Sequence, residues 1–268
     1  MGDFDWSQGY QLAAGILFPM ALVGFLCNVS VVVFLNSMPS LKNSFGSLTF
    51  SQVSVDSVHQ LLLAFFLAQT IYLRKDWMYE ISHHFGFATL LAYQLCCLSH
   101  VCLSINRFVA VYAPLAYSKV FRSRTPPPPL KLEFIVSSSS VSNTPKIIDC
   151  WFYLPFGTWI YTFKDNPACN KVKWFGDFTL NSISVLIVAI LDVACIIRVH
   201  GINMKQNDAV SAQRRSRELN LVYQAALQGI FFITELVTYF ILSSYVQNKW
   251  QAYGLTTISW CLVNGMDG

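Results

Sequence analysis

The sequence predicts an all-α integral membrane protein built as a bundle of long apolar helices. Of its 268 residues, 54% are hydrophobic and only 12% are charged, and the mean hydropathy is +0.46. Soluble domains carry roughly a quarter charged residues, so such a chain cannot cover itself with polar surface. Its apolar residues also come in runs near the ~20 residues that a helix needs to cross a bilayer.

Six apolar stretches meet or approach the length of a span. They lie at residues 11–35, 45–73, 86–112, 178–197, 219–245 and 250–268. The second stretch is the least apolar because Gln52, Asp56, His59 and Gln60 interrupt it. The last stretch reaches Gly268 before a full crossing is complete, so we expect a truncated final span.

Lys and Arg near the ends of the spans predict the orientation, because cytosolic loops carry an excess of both. Residues 107–124 hold four basic residues and no acid, and residues 198–218 hold five basic residues against two acids. Both segments are expected in the cytosol. The N-terminus carries Asp3 and Asp5 without a basic residue and is expected outside.

The connection at residues 122–148 differs from the rest of the chain. Residues 125–129, Thr-Pro-Pro-Pro-Pro, favour polyproline II, and residues 137–140 are a flexible serine run. No crossing is predicted there. The charge pattern nevertheless requires an odd number of crossings between Arg107 and Asp177, so we expect that a transmembrane helix is missing between Phe121 and Asp149.

Polar side chains within the spans are the candidate functional residues. In the third span Tyr93, Cys97, His100, Ser104 and Arg107 recur at steps of four and three, which places them on one helical face that is expected to look inward. For Cys97 and Ser104 simple burial against neighbouring helices is an open alternative. An unpaired Arg107 at the end of an apolar run would cost about a few kcal/mol in lipid.

Four further polar residues lie inside other spans. Each costs about 2.5–3.5 kcal/mol at mid-membrane if it is unpaired, so each is expected to face the bundle interior and find a partner. They are Asn28, Asp56, Asp192 and Glu235. A functional site and a structural hydrogen bond between helices are both open interpretations.

Several classes of function receive no support from motifs. The chain lacks a Gly-rich phosphate loop, Gly-x-Ser-x-Gly and His-Glu-x-x-His, so no enzyme and no cofactor is expected. A zinc site at Cys96, Cys97 and His100 is disfavoured because adjacent cysteines on a helix point apart. The net charge of +4 is dispersed between apolar runs, which argues against a nucleic-acid partner.

Short blocks on both sides of residues 122–148 resemble a known family. Asn28, Asp56 and Asn106-Arg107-Phe108 look like landmarks of rhodopsin-like receptors, although Asn106 replaces the usual acid and Phe108 the usual Tyr. Residues 39–46, 99–108, 174–178 and 227–236 resemble, in this order, the serpentine receptor class X family of nematode chemoreceptors.

The resemblance implies a seven-transmembrane-helix receptor bundle with the fourth span missing and the seventh truncated. Residues 1–121 would hold spans one to three, 122–148 an atypical Pro/Ser-rich replacement of span four, and 149–268 an extracellular loop and spans five to seven. Such a receptor is expected in the plasma membrane of sensory cells, although this chain is expected to fold poorly and to stay in the endoplasmic reticulum.

The resemblance also implies roles for the polar residues. A small-molecule ligand would bind within the bundle near Tyr93, Cys97 and His100. A heterotrimeric G protein would couple through Asn106, Arg107 and Phe108. The basic excess of residues 200–218 next to two spans predicts that this cytosolic segment helps to contact it, with a purely topological charge cluster as the alternative. Because Asn106 cannot supply the usual carboxylate, the resting lock on Arg107 is expected to be weaker or to use another partner.

Cys150 and Cys169 are predicted to form a disulfide, because these two cysteines alone lie in a loop that should face the oxidising exterior. Unpaired or palmitoylated thiols are the alternative. No cysteine lies near Ser82, where rhodopsin-like receptors usually bridge to this loop.

Two competing functions are open at this point. A transporter or channel would use Asp56, Asp192 and Glu235 as an ion path, but no inverted repeat is visible. Alternatively, this particular chain is a non-signalling receptor product that lacks one span.

Overall fold

The computed structural model describes residues 5–38, 44–115, 117, 150–203, 223 and 227–266. Six long helices account for most of these residues. They are α1 (Tyr10–Ser37), α2 (Ser44–Leu73), α3 (Ser82–Tyr112), α4 (Pro167–Lys171, Val172–Thr179 and Leu180–Asn203 in continuation), α5 (Leu227–Ser244) and α6 (Lys249–Tyr253, Gly254–Ile258 and Ser259–Met266 in continuation). A short helix, Asp76–Glu80, precedes α3.

All six predicted apolar stretches are helical where the structure describes them, and α1 to α5 are long and apolar enough to cross a membrane. The predicted start of the fourth stretch at residue 178 was wrong, because α4 begins at Pro167. The Asn166 side chain accepts hydrogen bonds from the amides of Ala168 and Cys169 at 2.7 and 2.9 Å. An Asn cap followed by Pro at the first helical position is a strong start signal.

The polar residues that interrupt the second stretch face the inside of the bundle. Gln52, Asp56, His59 and Gln60 are each at most 3% exposed. Gln60 Nε2 donates to the Cys261 carbonyl at 2.7 Å and so ties α2 to α6. The low hydropathy of α2 therefore reflects its buried position between helices rather than a weak span.

α3 and α4 run in the same direction. The Tyr112 hydroxyl donates to the Ala194 carbonyl at 3.0 Å, and Gln94 Nε2 donates to Asp177 Oδ1 at 3.1 Å. The contacts thus advance together along both helices. The intervening chain must return from the end of α3 to the beginning of α4. The predicted replacement segment 122–148 lies outside the described residues, as does most of segment 200–218.

A small hairpin covers the end of the bundle formed by the first turns of α1, α3, α4 and α6, which we call the outer end. Strands β1 (Phe152–Tyr153) and β2 (Thr162–Phe163) pair antiparallel, with Phe152 opposite Phe163. A disulfide joins Cys150 to Cys169 with their Cα atoms 5.3 Å apart, so the hairpin is closed onto α4.

The hairpin is also docked on the first turn of α3. Ser82 Oγ accepts from the Leu154 amide at 3.1 Å and donates to the Tyr79 carbonyl at 2.6 Å. A Cβ on Gly86 would lie 2.2 Å from the Phe152 carbonyl oxygen, so only glycine permits this approach. Ser82 and Gly86 therefore hold the loop at the place where rhodopsin-like receptors usually have a disulfide.

Trp159, in the turn of the hairpin, connects the hairpin to the N-terminal segment and to the first turn of α6. The ring is fully buried and contacts Trp6 and Trp250 at centroid distances of 5.1 and 4.9 Å. Lys249 Nζ donates to the carbonyls of Asp5 and Gln8 at 2.5 and 2.8 Å. These contacts close the outer end over the space between the helices.

Candidate functional site

An ion pair joins α3 to α4 near the end of the bundle opposite the hairpin, which we call the inner end. Arg107 Nη1 lies 3.7 Å from Asp192 Oδ1, with the two side chains 15% and 2% exposed. The guanidinium also lies 5.8 Å from the centre of the Phe45 ring at the start of α2. Removing one partner of a buried pair leaves an uncompensated charge, so this contact holds three helices together.

The two neighbours of Arg107 take different positions. Asn106 is 2% exposed, and its Nδ2 has no hydrogen-bond partner among the described residues. Phe108 stacks on Tyr112 with centroids 4.4 Å apart. An acid is absent at position 106, and the structure supplies the carboxylate from Asp192 on α4 instead.

A narrow cavity lies beneath the hairpin, between α3, α4, α5 and α6. Its volume is about 10 Å³, close to that of one water-sized sphere. Its walls are mostly aromatic and include two carboxylates. The lining residues are Leu90, Tyr93, Phe152, Asp177, Glu235, Tyr239, Phe240 and Trp260.

Both carboxylates in this outer cavity are buried and accept hydrogen bonds from neutral donors, and Asp177 is also attracted by Lys173 one helical turn earlier. The Tyr93 hydroxyl donates to Glu235 Oε2 at 2.7 Å. Asp177 Oδ1 accepts from Gln94 Nε2 at 3.1 Å and from Asn181 Nδ2 at 2.7 Å. Neither carboxylate has a salt-bridge partner among the described residues.

The predicted ligand residues of α3 do not share one pocket. Tyr93 lines the outer cavity, whereas Cys97 and His100 line a second cavity deeper in the bundle, together with Val185 and Phe232. The His100 ring packs edge-on against Phe232 at 4.7 Å, and its Nε2 lies 3.0 Å from Gln52 Nε2. His100 is therefore part of a contact between α2, α3 and α5.

The two remaining predicted polar residues, Asn28 on α1 and Asp56 on α2, are buried inside the bundle. Asn28 is fully buried, and its Nδ2 donates to the Asn264 carbonyl at 3.2 Å. Asp56 is also fully buried. Within the described parts of the chain, no group of three or more His, Cys, Asp or Glu residues is arranged to hold a metal ion.

Comparison with known families decides the class of this bundle. The model of the family "Serpentine type 7TM GPCR chemoreceptor Srx" matches residues 18–268. The chain belongs to the Srx family. Among curated proteins it is similar to "Serpentine receptor class X 45" of Caenorhabditis elegans, with 28% identity over 279 residues covering 96% of this chain and 77% of the relative.

A second relative carries the same family name, and a solved receptor structure has the same fold. "Serpentine receptor class X-43" of Caenorhabditis elegans is 21% identical over 267 residues, covering 98% of this chain and 84% of the relative. The crystal structure of squid rhodopsin superposes with a TM-score of 0.74 at 14% identity, covering 100% of this chain and 83% of that chain. The fold is thus that of a seven-transmembrane receptor, and the protein is a multi-pass membrane protein of a receptor family rather than of an enzyme family.

Of the residues that line the outer cavity, the sequence pattern singled out only Tyr93 and Glu235 as candidate site residues. Asp177 was interpreted as the boundary of a span, because it precedes a long apolar run. Tyr239 and Trp260 were not singled out, because aromatic residues are frequent throughout the spans. The available signal was Asp177 followed four residues later by Asn181, which places a carboxylate and its donor on one face of a helix.

Proposed function

We propose that this Srx protein is a chemosensory receptor of the plasma membrane that detects a small molecule and activates a heterotrimeric G protein. The observation that carries the proposal is the Arg107–Asp192 ion pair, which joins α3 and α4 at the inner end, 3.7 Å apart. A charged contact between two helices has two arrangements, closed within the bundle or opened toward a partner, and a ligand can shift the balance between them.

Arg107 is suited to exchange one partner for another. Its guanidinium is part-exposed while Asp192 is fully buried, so separation of α3 from α4 would bring the cation and not the acid to the surface. Arginine remains charged under all physiological conditions and needs an acceptor in either arrangement. We infer that the resting receptor supplies Asp192 and that the G protein supplies acceptors in the active state.

The ligand would act from the outer cavity along α3. Tyr93 and Arg107 lie on one helix, 14 residues or about 21 Å apart along its axis. Tyr93 packs edge-on against Trp260 at 5.5 Å, and Trp260 packs against Phe152 of the hairpin at 6.1 Å. A ligand that moves these rings would therefore change the position of α3 relative to α4 and α6.

The proposal is tested with Arg107→Ala in the full chain, reconstituted in lipid nanodiscs with a heterotrimeric G protein. We expect nucleotide exchange on the G protein to be lost, while small-molecule binding at the outer cavity changes less than about threefold, because ~21 Å of helix separates the two sites. Arg74→Ala at the outer end is the matched control and should exchange normally. Unchanged exchange with Arg107→Ala at equal folded protein would remove Arg107 from coupling.

A further inference from the structure

We infer that the outer cavity recognises a small organic cation, an aromatic or alkyl amine, through Glu235 and Asp177 within an aromatic wall. This inference rests on the proposed receptor function and names the chemical class of its ligand. Three independent features of the cavity support it: the two buried carboxylates, the rings around them and the interrupted helices that form the walls.

The carboxylates give the cavity its charge preference. Glu235 and Asp177 are 3% and 7% exposed, and they accept hydrogen bonds from the neutral groups of Tyr93, Gln94 and Asn181. Lys173, one helical turn before Asp177, attracts the Asp177 carboxylate, whereas Glu235 has only the Tyr93 hydroxyl and the like charge of Asp177 nearby. Buried carboxylates within a membrane protein are costly unless a cation balances them. A ligand ammonium in the cavity would supply that cation for Glu235 and add a second cation near Asp177.

The aromatic rings favour the same class of ligand. Tyr93, Phe152, Tyr239, Phe240 and Trp260 all line the cavity. Ring faces attract cations electrostatically, by about 2 kcal/mol or more where the cation is desolvated, and offer apolar contact to the carbon skeleton of an amine. An anionic or strongly hydrated ligand would gain neither contact.

Trp260 offers one further polar contact. Its Nε1 is buried without a hydrogen-bond partner among the described residues, although the ring lies at the cavity wall. Buried indole N–H groups normally find an acceptor. A hydroxyl, ether or carbonyl oxygen on the amine would accept a hydrogen bond from this N–H. The ligand that fits the cavity best therefore carries both an ammonium group and a hydrogen-bond acceptor.

The walls are built from helices that depart from regular α geometry at the cavity. Asp177 lies in the π-helical segment Val172–Thr179, Tyr239 and Phe240 lie in Val237–Ile241, and Trp260 follows Gly254–Ile258. π-helical turns inside α-helices occur frequently at functional sites because they re-aim side chains. Here three of them converge on one space.

The closed size of the cavity connects binding to activation. At about 10 Å³ it has room for at most one water molecule, so an amine with a carbon skeleton must displace the surrounding rings. Only the more open arrangement then accommodates the ligand. Binding would shift the population toward that arrangement by the difference in affinity between the two states.

The inference is tested by ligand binding to the full chain in lipid nanodiscs, because retention inside the cell would obscure assays at the cell surface. The probes are 2-phenylethylamine, its neutral counterpart 2-phenylethanol and the anion 3-phenylpropionate, which share a phenyl ring and chain length. We expect binding and thermal stabilisation with the amine and at least tenfold weaker binding of the other two. Equal or stronger binding of the alcohol or the anion would overturn the inference.

Matched variants locate the binding in the outer cavity. Glu235→Gln and Asp177→Asn should each weaken binding of 2-phenylethylamine about tenfold, since each loses one charge-assisted contact. Glu80→Gln and Asp76→Asn remove exposed carboxylates at the outer end and should leave binding unchanged. Where the cavity variants fold poorly, the probe comparison on the unaltered chain decides. Stabilisation by sodium chloride alone that equals that by the amine would assign the cavity to an inorganic cation and overturn the inference.

Failure of the ligand class and failure of the receptor function are separable. Exchange on the G protein that depends on Arg107, without amine binding, would leave the receptor function standing and reject the amine. Amine binding to a chain that never promotes exchange would support the ligand class and reject the coupling.

Discussion

The partner of Arg107 is the residue-scale feature with the largest consequence. The sequence places Asn106 before this arginine, and an amide cannot neutralise a guanidinium. Asp192, 85 positions later in the chain, supplies the charge from the neighbouring helix at 3.7 Å. The ion pair of the arginine therefore joins two helices instead of two neighbouring residues of one helix. It breaks when α3 and α4 move apart.

Asp192→Asn is therefore expected to raise ligand-independent exchange on the G protein by about tenfold. Loss of the carboxylate removes the attraction that holds Arg107 in the bundle, and a change of about 1.4 kcal/mol in the balance between two states shifts their ratio tenfold. The measurement is basal nucleotide exchange in nanodiscs, with the exposed Asp76→Asn as control. Basal exchange at or below that of the unaltered chain would mean that the ion pair is only structural.

The sequence predicted which residues of α3 face inward but not which partners they meet. Tyr93, Cys97, His100 and Ser104 are all at most 8% exposed, as their helical spacing indicated. Asp192 and Glu235 were equally plausible partners for any buried cation. Their pairing depends on how α4 and α5 rotate against α3, and that rotation results from packing over the whole interface.

At the scale of elements, the hairpin depends on the absence of a side chain at Gly86. A Cβ there would meet the Phe152 backbone oxygen at 2.2 Å, and a backbone atom cannot move aside as the end of a flexible side chain can. The same strand carries Phe152 into the wall of the outer cavity. Gly86 on α3 thus determines how closely β1, which covers the outer cavity, approaches α3.

Gly86→Ala is expected to lift β1 from α3 and to weaken amine binding by about tenfold or more. Overpacking of this kind typically also costs about 1–3 kcal/mol of stability. Gly15→Ala is the matched control, because a Cβ at Gly15 meets nothing within 4 Å. Binding and thermal unfolding of both variants are compared in nanodiscs, and equal binding by Gly86→Ala and Gly15→Ala would show that the roof does not contribute.

The disulfide gives the second element-scale prediction. Cys150 and Cys169 are separated by 19 positions, and closing a loop of this length stabilises a protein by about 3 kcal/mol in the chain-entropy model. Cys150→Ser should lower the thermal stability of the outer end and the affinity of the cavity, with Cys27→Ser, an exposed free cysteine, as control. Detection of both thiols free in the unreduced protein would contradict the pairing.

The beginning of α4 shows where element boundaries escaped the sequence pattern. The apolar run starts at residue 178, but the helix extends outward to Pro167 because Asn166 caps it and Cys169 anchors its first turn to the hairpin. A polar helical extension has no signal in hydropathy. It was nevertheless decisive for the candidate site, since Asp177 lies inside the helix rather than at its edge.

At the scale of the whole molecule, the direction of α3 and α4 constrains the chain between them. The contacts Tyr112–Ala194 and Gln94–Asp177 show the two helices running in parallel, so the connection must pass from the inner end to the outer end. In a membrane this passage is an odd number of crossings. The orientation expected from Lys and Arg leads to the same requirement by a separate route.

We therefore predict that the native gene product carries a transmembrane helix where this chain has residues 122–148. The prolines at 126–129 lack amide donors, and lipid offers no partners for the remaining exposed backbone groups, each of which would cost several kcal/mol. The stretch cannot make the crossing that the parallel helices require.

We expect the chain to be retained in the endoplasmic reticulum, and a variant with about 20 Leu and Ala residues inserted between Phe121 and Asp149 to reach the cell surface. An insert of equal length made of Gly and Ser is the control and should stay inside. Sequencing of the expressed transcript gives the direct measurement: a transcript that encodes the proline-rich stretch unchanged, together with surface expression and signalling of that product, would show that no helix is missing.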